Sequence, residues 1–200
     1  MPLIRKQKLD NGAWLALWQM SETLEQLPVP EHVDLSSSTA PHRRKEKVTE
    51  YLLLKALTGD DTLFIRHNDD GAPFVNGYHI SISHTEGWAA MILSKTYRVG
   101  IDIEYVSERV NRVVSRFIRE DEQQETLAER LINWCSKEAV YKFFTEQHLE
   151  FHEMRLQPYS QEDEGDVVVE NLRQHSQITV GYEVNNDFVL AYLCSPFTHS

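Results

Sequence analysis

Cysteine is almost missing from these 200 residues: there are two, Cys135 and Cys194, and no C-x-x-C pair. That count and spacing exclude a disulfide framework and a cysteine-built zinc site, and they fit a reducing, cytoplasmic compartment. Long apolar runs are absent too. No stretch approaches the roughly 18 residues that a membrane-spanning helix needs, and the N-terminal MPLIRKQKLDNGAWLALWQM has neither a long apolar core nor a small-residue cleavage site. The expectation is a soluble chain without a membrane partner. Positive charge is scarce: 20 Lys and Arg against 31 Asp and Glu leave a formal charge of −11, the opposite of the basic footprint that nucleic acid requires. An anionic ligand would have to be met by local clusters of Lys, Arg and His. What is present, 41% hydrophobic and 26% charged residues, is ordinary for a globular protein of one large domain or two small ones.

The order of elements is read from periodicity and turn residues. Ala13–Trp18 (AWLALW) has strand length, and the Pro- and Ser-containing stretch Leu27–His42 is a loop whose Ser/Thr cluster leads into a helix over Arg43–Leu57, ended by Gly59. A strand at TLFIRH, a turn at NDDGAP, a hairpin turning on Asn76–Gly77 and a further turn into WAAMILS follow. Glu108–Asp121 reads as an amphipathic helix: Val110, Val113, Val114 and Phe117 make an apolar stripe, with Arg109, Arg112, Arg116 and Arg119 on an adjoining face. A second helix is expected over about Ala128–Thr145, and a closing hairpin over SQITVGYEV–NN–DFVLAYLC. KEKV at Lys45–Val48 and KEAV at Lys137–Val140 both open helices, a faint echo of two halves.

Chemistry concentrates in three stretches. In RVGIDIEYV (Arg98–Val106) the strand period of two puts Val99, Ile101 and Ile103 on one face and Asp102 beside Glu104 on the other. That pair is either the solvated face of a half-buried strand or a seat for a hard divalent cation, which takes one or two carboxylates plus phosphate oxygens. In WCSKEAVYK (Trp134–Lys142), Glu138 and Lys142 stack one turn apart, as a plain i,i+4 ion pair or as a third carboxylate and a phosphate-binding lysine. ISISH (Ile80–His84) ends a strand whose Ser81 and Ser83 face away from the core. There His84 is a structural or solvated histidine, or a phosphate contact.

GIDIE at Gly100–Glu104, WCSKEAVYK and ISISH, in this order and spacing, resemble the 4′-phosphopantetheinyl transferase superfamily, in its single-chain surfactin-synthetase-activating type. The resemblance runs over roughly Gly71–Lys142. It implies an α+β fold of two similar halves, each an antiparallel sheet packed on a helix, with the active site in the cleft between them: residues 1–97 on the coenzyme A side and 98–200 with the metal strand and catalytic helix. It implies Mg²⁺-dependent transfer of phosphopantetheine from coenzyme A to a serine of an acyl or peptidyl carrier protein, releasing 3′,5′-ADP, by a monomer and with Mn²⁺ as the alternative ion. By motif, Asp102, Glu104 and Glu138 would hold the metal, and Glu138 would take the serine proton. Lys137 and Lys142 would meet the pyrophosphate, and Ser83 and His84 the 3′-phosphate, helped by Arg43, Arg44 and Arg66. Arg109, Arg112 and Arg116 would dock the acidic carrier. One position departs from the pattern: Ala72 stands in Gly71-Ala72-Pro73 where the family has a lysine, which weakens the expected clamp on coenzyme A. That departure favours one alternative, a catalytically silent module binding coenzyme A or a nucleotide; a second alternative is a different Mg²⁺ enzyme of phosphate esters.

Overall fold

The computed structural model describes residues 2–36 and 40–196. Ser37, Ser38 and Thr39 of the Ser/Thr cluster lie outside the described residues. The chain divides into two compact units, Met1–Arg98 with Cys194–Ser200, and Val99–Leu193. Each contains an antiparallel sheet and one long helix, so the fold is α+β.

The first unit holds β1 (Leu3–Lys8), β2 (Trp14–Gln19), α1 (Pro41–Thr58), β3 (Arg66–His67), β4 (Pro73–Val75), β5 (Tyr78–Thr85) and β6 (Trp88–Ser94). Its six strands run in the order β1-β2-β6-β5-β4-β3, every pair antiparallel. Helix α1 starts on Pro41, whose missing N–H costs nothing in the first turn, and stops at Gly59, which adopts φ +76°. Its Val48, Leu52 and Leu53 pack with Ala16, Trp18, Ala89 and Met91 of β2 and β6. β1 is an edge strand that the sequence pattern leaves unassigned, and the expected strand at TLFIRH shrinks to Arg66–His67.

The second unit holds β7 (Arg98–Tyr105), α2 (Leu127–Phe143), β8 (Met154–Leu156), β9 (Glu164–Asn171), β10 (Ser176–Val184) and β11 (Phe188–Ser195), its sheet ordered β7-β11-β10-β9-β8. Helix α2 is started by a capping box: the Thr126 hydroxyl accepts from Glu129 N at 3.1 Å while the Glu129 carboxylate accepts from Thr126 N at 2.8 Å. Glycine is needed at position 100. A Cβ built there would lie 2.2 Å from the Ala139 carbonyl oxygen of α2 and 2.9 Å from Leu193. The helix therefore rides directly on β7, on the strand face that carries Asp102, and both faces of β7 are buried: Val99, Ile101 and Ile103 are at most 3% exposed and Asp102 is 5% exposed. Gly100→Ala forces backbone apart where no flexible side chain can yield. Destabilisation of about 1–3 kcal/mol is expected in urea unfolding; an unchanged midpoint would show that α2 does not need this approach.

The helix expected over Glu108–Asp121 is not formed. Two 3₁₀ turns, Glu108–Arg112 and Val114–Arg116, replace it, meeting at Val113 with φ −123°. Three β-branched residues in five weaken the α-helix locally. Tertiary anchors then decide: Val110 is buried, and Phe117 is fully enclosed with its ring edge-on to Trp134, centroids 5.1 Å apart. The arginine stripe goes with the helix. Among the described residues, no helix is long and apolar enough to cross a membrane.

Candidate functional site

Four side chains gather where α2 crosses β7. Asp102 comes from the buried strand, Glu104 follows two residues on with partial exposure, and Glu138 and Lys142 descend from successive turns of α2. Lys142 Nζ donates to Asp102 Oδ1 at 2.7 Å and to the Ile101 carbonyl at 3.1 Å. The i,i+4 geometry thus aims Lys142 at the strand. Burial pushes Glu138 up to about 7, the Asp102 carboxylate adds to the rise and Glu104 adds less, while the Lys142 ammonium opposes them. Cys135, fully buried one turn earlier on α2, donates weakly to the Val189 carbonyl at 3.7 Å. Its thiol is pushed well up by burial and by Asp102 and Glu104, which makes it an inert neighbour.

The donor chemistry of Asp102, Glu104 and Glu138 fits a hard divalent cation, since all three offer carboxylate oxygen. Among the described residues no three His, Cys, Asp or Glu side chains converge closely enough to form a finished metal centre. The positive charge set against Asp102 here is the Lys142 ammonium. Magnesium ordinarily keeps several waters and takes phosphate oxygens beside one or two carboxylates, so a loose carboxylate group suits it better than a closed cage.

Lys137 stands apart from this group. Its side chain is fully enclosed, and Nζ donates to the Phe117 carbonyl at 2.6 Å and to Glu122 Oε2 at 2.8 Å. Burial lowers its ammonium below the usual lysine range against the pull of Glu122. Its pairing is with Glu122, where the motif implied a pyrophosphate. Helical phase explains this: Lys137 precedes Glu138 by about 100° and so faces into the packing of the unit. Glu122, which no sequence signal singles out from its acidic neighbours, also accepts from Arg119 N at 2.8 Å and Leu156 N at 2.7 Å.

Arg109, Arg112 and Arg116 remain exposed, with Arg109 Nη1 donating to the Tyr105 hydroxyl at 2.9 Å. Arg119 turns inward to Asp121 at 2.8 Å and to the His152 carbonyl. In the first unit, His84 Nε2 lies 3.0 Å from Glu50 Oε1 of α1, and Ser83 beside it is 7% exposed. Arg43 pairs with Glu46 at 3.2 Å in the first turns of α1, Arg44 follows it partly buried, and Arg66 sits exposed on β3. Ala72 N is held by Asn68 Oδ1 at 2.8 Å in a turn that Gly71 makes with φ +79°.

Residues 98–193 match the family model of the 4′-phosphopantetheinyl transferase superfamily. The match takes in Asp102, Glu104, Glu138 and Lys142, so the superfamily region and the carboxylate cluster coincide. Over 76 residues the chain is 33% identical to "4′-phosphopantetheinyl transferase gsp" of Aneurinibacillus migulanus, an alignment of 38% of this chain and 32% of that relative. The chain therefore spans about a third of the length of the curated relative it matches.

Proposed function

We propose that the chain transfers the 4′-phosphopantetheine arm of coenzyme A to a serine of an acyl or peptidyl carrier protein, with Mg²⁺ or Mn²⁺, and releases 3′,5′-ADP. One observation carries this: Asp102, Glu104, Glu138 and Lys142 form a single cluster inside the stretch that matches the superfamily. The compartment proposed is the cytoplasm, in keeping with two free cysteines, and the working form is a monomer.

Glu138 has the position and basicity to take the serine proton, because a carboxylate near 7 is half deprotonated at neutral pH and a stronger base than an ordinary one. Asp102 and Glu104 flank it and would hold the divalent cation, which when bound neutralises charge on the pyrophosphate and eases departure of 3′,5′-ADP. Lys142 has two duties: its bond to Asp102 fixes the carboxylate, and its third N–H, beyond those given to Asp102 and the Ile101 carbonyl, suits a phosphate oxygen. Ser83 and His84, with Arg43, Arg44 and Arg66, are assigned to the 3′-phosphate of coenzyme A, although Ala72 removes a cation from that group. Lys137 is given no contact with substrate.

The test is the intact mass of an apo acyl carrier protein after incubation with the chain, coenzyme A and Mg²⁺. A gain of one phosphopantetheine, absent with Asp102→Ala, is the expected result. No gain on fatty-acid, polyketide and peptidyl carriers, with coenzyme A still bound, would replace the transferase with the silent binding module. Phosphate release from coenzyme A without a modified protein would indicate a phosphatase.

Carrier docking is assigned to Arg109, Arg112 and Arg116, which stay exposed on the two 3₁₀ turns following β7. On a chain of charge −11 a local basic surface is what brings an acidic partner in. Arg112→Glu with Arg116→Glu is expected to raise KM for the carrier about tenfold and to leave KM for coenzyme A unchanged. Equal rises in both would remove the docking role.

A further inference from the structure

A groove of about 1010 Å³ opens in the first unit, between α1, the edge strand β1 and the chain around residues 28–32 and 61–64. Leu3, Trp18, Val29, Leu52, Ala56 and Phe64 wall it. Val29 and Phe64 are 42% and 49% exposed, the kind of apolar surface that marks a binding groove when it is continuous and concave. None of the groups assigned above to coenzyme A or the carrier lines it.

Two polar features point to what it takes. Trp18 is 4% exposed, yet its indole Nε1–H has no hydrogen-bond partner among the described residues. Buried indole N–H groups ordinarily donate, and one without an acceptor bears its full desolvation penalty. Lys6 is the second. It sits opposite Ala16 in the β1–β2 ladder, two positions from Trp18 and on the same face. Its Nζ donates to the Ala56 carbonyl at 2.6 Å and lies 5.3 Å from the centre of the Trp14 ring, with no carboxylate in ion-pair contact among the described residues. The other charges at the groove are settled: Lys55 is paired with Asp61 at 2.8 Å, and Glu31 is exposed at the rim. A long apolar wall, a buried donor lacking an acceptor and a cation lacking a counter-charge call for one kind of molecule.

We propose that this groove binds an apolar carboxylic acid, its chain along Leu52, Ala56 and Phe64 and its carboxylate accepting from the Trp18 indole N–H and the Lys6 ammonium. The site is independent of the transferase reading, and its test uses neither coenzyme A nor a carrier. The uniformly ¹⁵N-labelled chain is titrated with dodecanoate below its micelle concentration, and with dodecanol as the neutral match. The Trp18 indole cross-peak, assigned by its loss in Trp18→Phe, is expected to move downfield and saturate with dodecanoate. Lys6→Met, at an exposed edge-strand position, should weaken dodecanoate about tenfold and dodecanol by less than about twofold, because only the acid makes the charged hydrogen bond. Ala56→Phe fills the groove from the helix side and should end binding of both with the thermal midpoint retained.

A Trp18 cross-peak that stays in place overturns the proposal. So does equal binding of alcohol and acid with no effect of Lys6→Met, since that is a groove without an anion site. A cross-peak that moves with chain concentration, together with dimers in sedimentation, would show that a second copy covers the face, and this also overturns it.

Discussion

Glu138→Gln will make the chain more stable at about pH 8, leave it nearly unchanged at pH 4.5, and end transfer. Glu138 titrates near 4.5 in an unfolded chain and near 7 in the folded one. Between those values the folded state binds the extra proton, so stability is whole below pH 4.5 and falls as pH rises through 7. By about pH 8 the folded chain bears the cost of a carboxylate half-buried beside Asp102. A displacement of this size corresponds to about 3 kcal/mol at most. Glutamine keeps the shape and removes the charge, so urea unfolding in the presence of a chelator should show the variant ahead by that amount at about pH 8. A difference independent of pH would mean that Glu138 is not strained by its neighbours. Adding Mg²⁺ extends the test: on the proposed three-carboxylate site, the cation should stabilise the wild type more than the variant, which keeps two of the three carboxylates. On the proposed role of Glu138 as general base, its loss should cost transfer at least about a hundredfold. Stability gained and activity lost at one side chain is the pattern of a charge cluster kept for chemistry.

The cluster itself was legible in the sequence because each of its parts has a period. Strand alternation sets Asp102 beside Glu104, and helical spacing stacks Glu138 under Lys142. What could not be read is the depth at which they lie. Two carboxylates on one strand face look the same whether water or a helix covers them. Gly100 is the residue that distinguishes the cases, through the 2.2 Å approach of the Ala139 carbonyl, and a lone glycine in a strand gives only the hint of a close neighbour. The helix drawn through Arg109–Arg119 failed for a related reason. Its apolar positions fit a period of 3.6, but Val110 and Phe117 are fixed by tertiary contacts that two 3₁₀ turns satisfy as well. The start of α2 was available as T-x-x-E at Thr126–Glu129, whereas β1 was obscured by charged residues alternating along an exposed edge and β9 by an acidic start that reads as a turn. The pairing of Lys137 with Glu122 was not legible, because a motif records which residues recur and says nothing of the direction in which each one points.

Lys137→Met should therefore cost stability and spare substrate affinity. The lysine and Glu122 form a fully enclosed pair, and removing one member of such a pair costs about 3–5 kcal/mol because the other is left charged in an apolar place. Glu122 would keep its bonds from Arg119 N and Leu156 N, two donors for a group that had three, and the Phe117 carbonyl would lose its partner. Glu122→Gln in the same chain removes the stranded charge while its amide oxygen still accepts from a backbone N–H. The double variant should then be more stable than the sum of the two single losses by about 1–3 kcal/mol. Simple additivity would show that the pair is not coupled. Lys137→Arg should fail to restore the wild type, since a planar guanidinium does not fit a closed site shaped for a single ammonium. The functional readout separates the two roles that this lysine could have. Measured well below the melting temperature, KM for coenzyme A should match that of the wild type if Lys137 only ties α2 to residues 117–122. A lysine bonded to the pyrophosphate would raise that KM even in a fully folded chain. With Glu138 as the very next residue, the same dipeptide would then anchor the helix through one side chain and offer the other for the proposed chemistry.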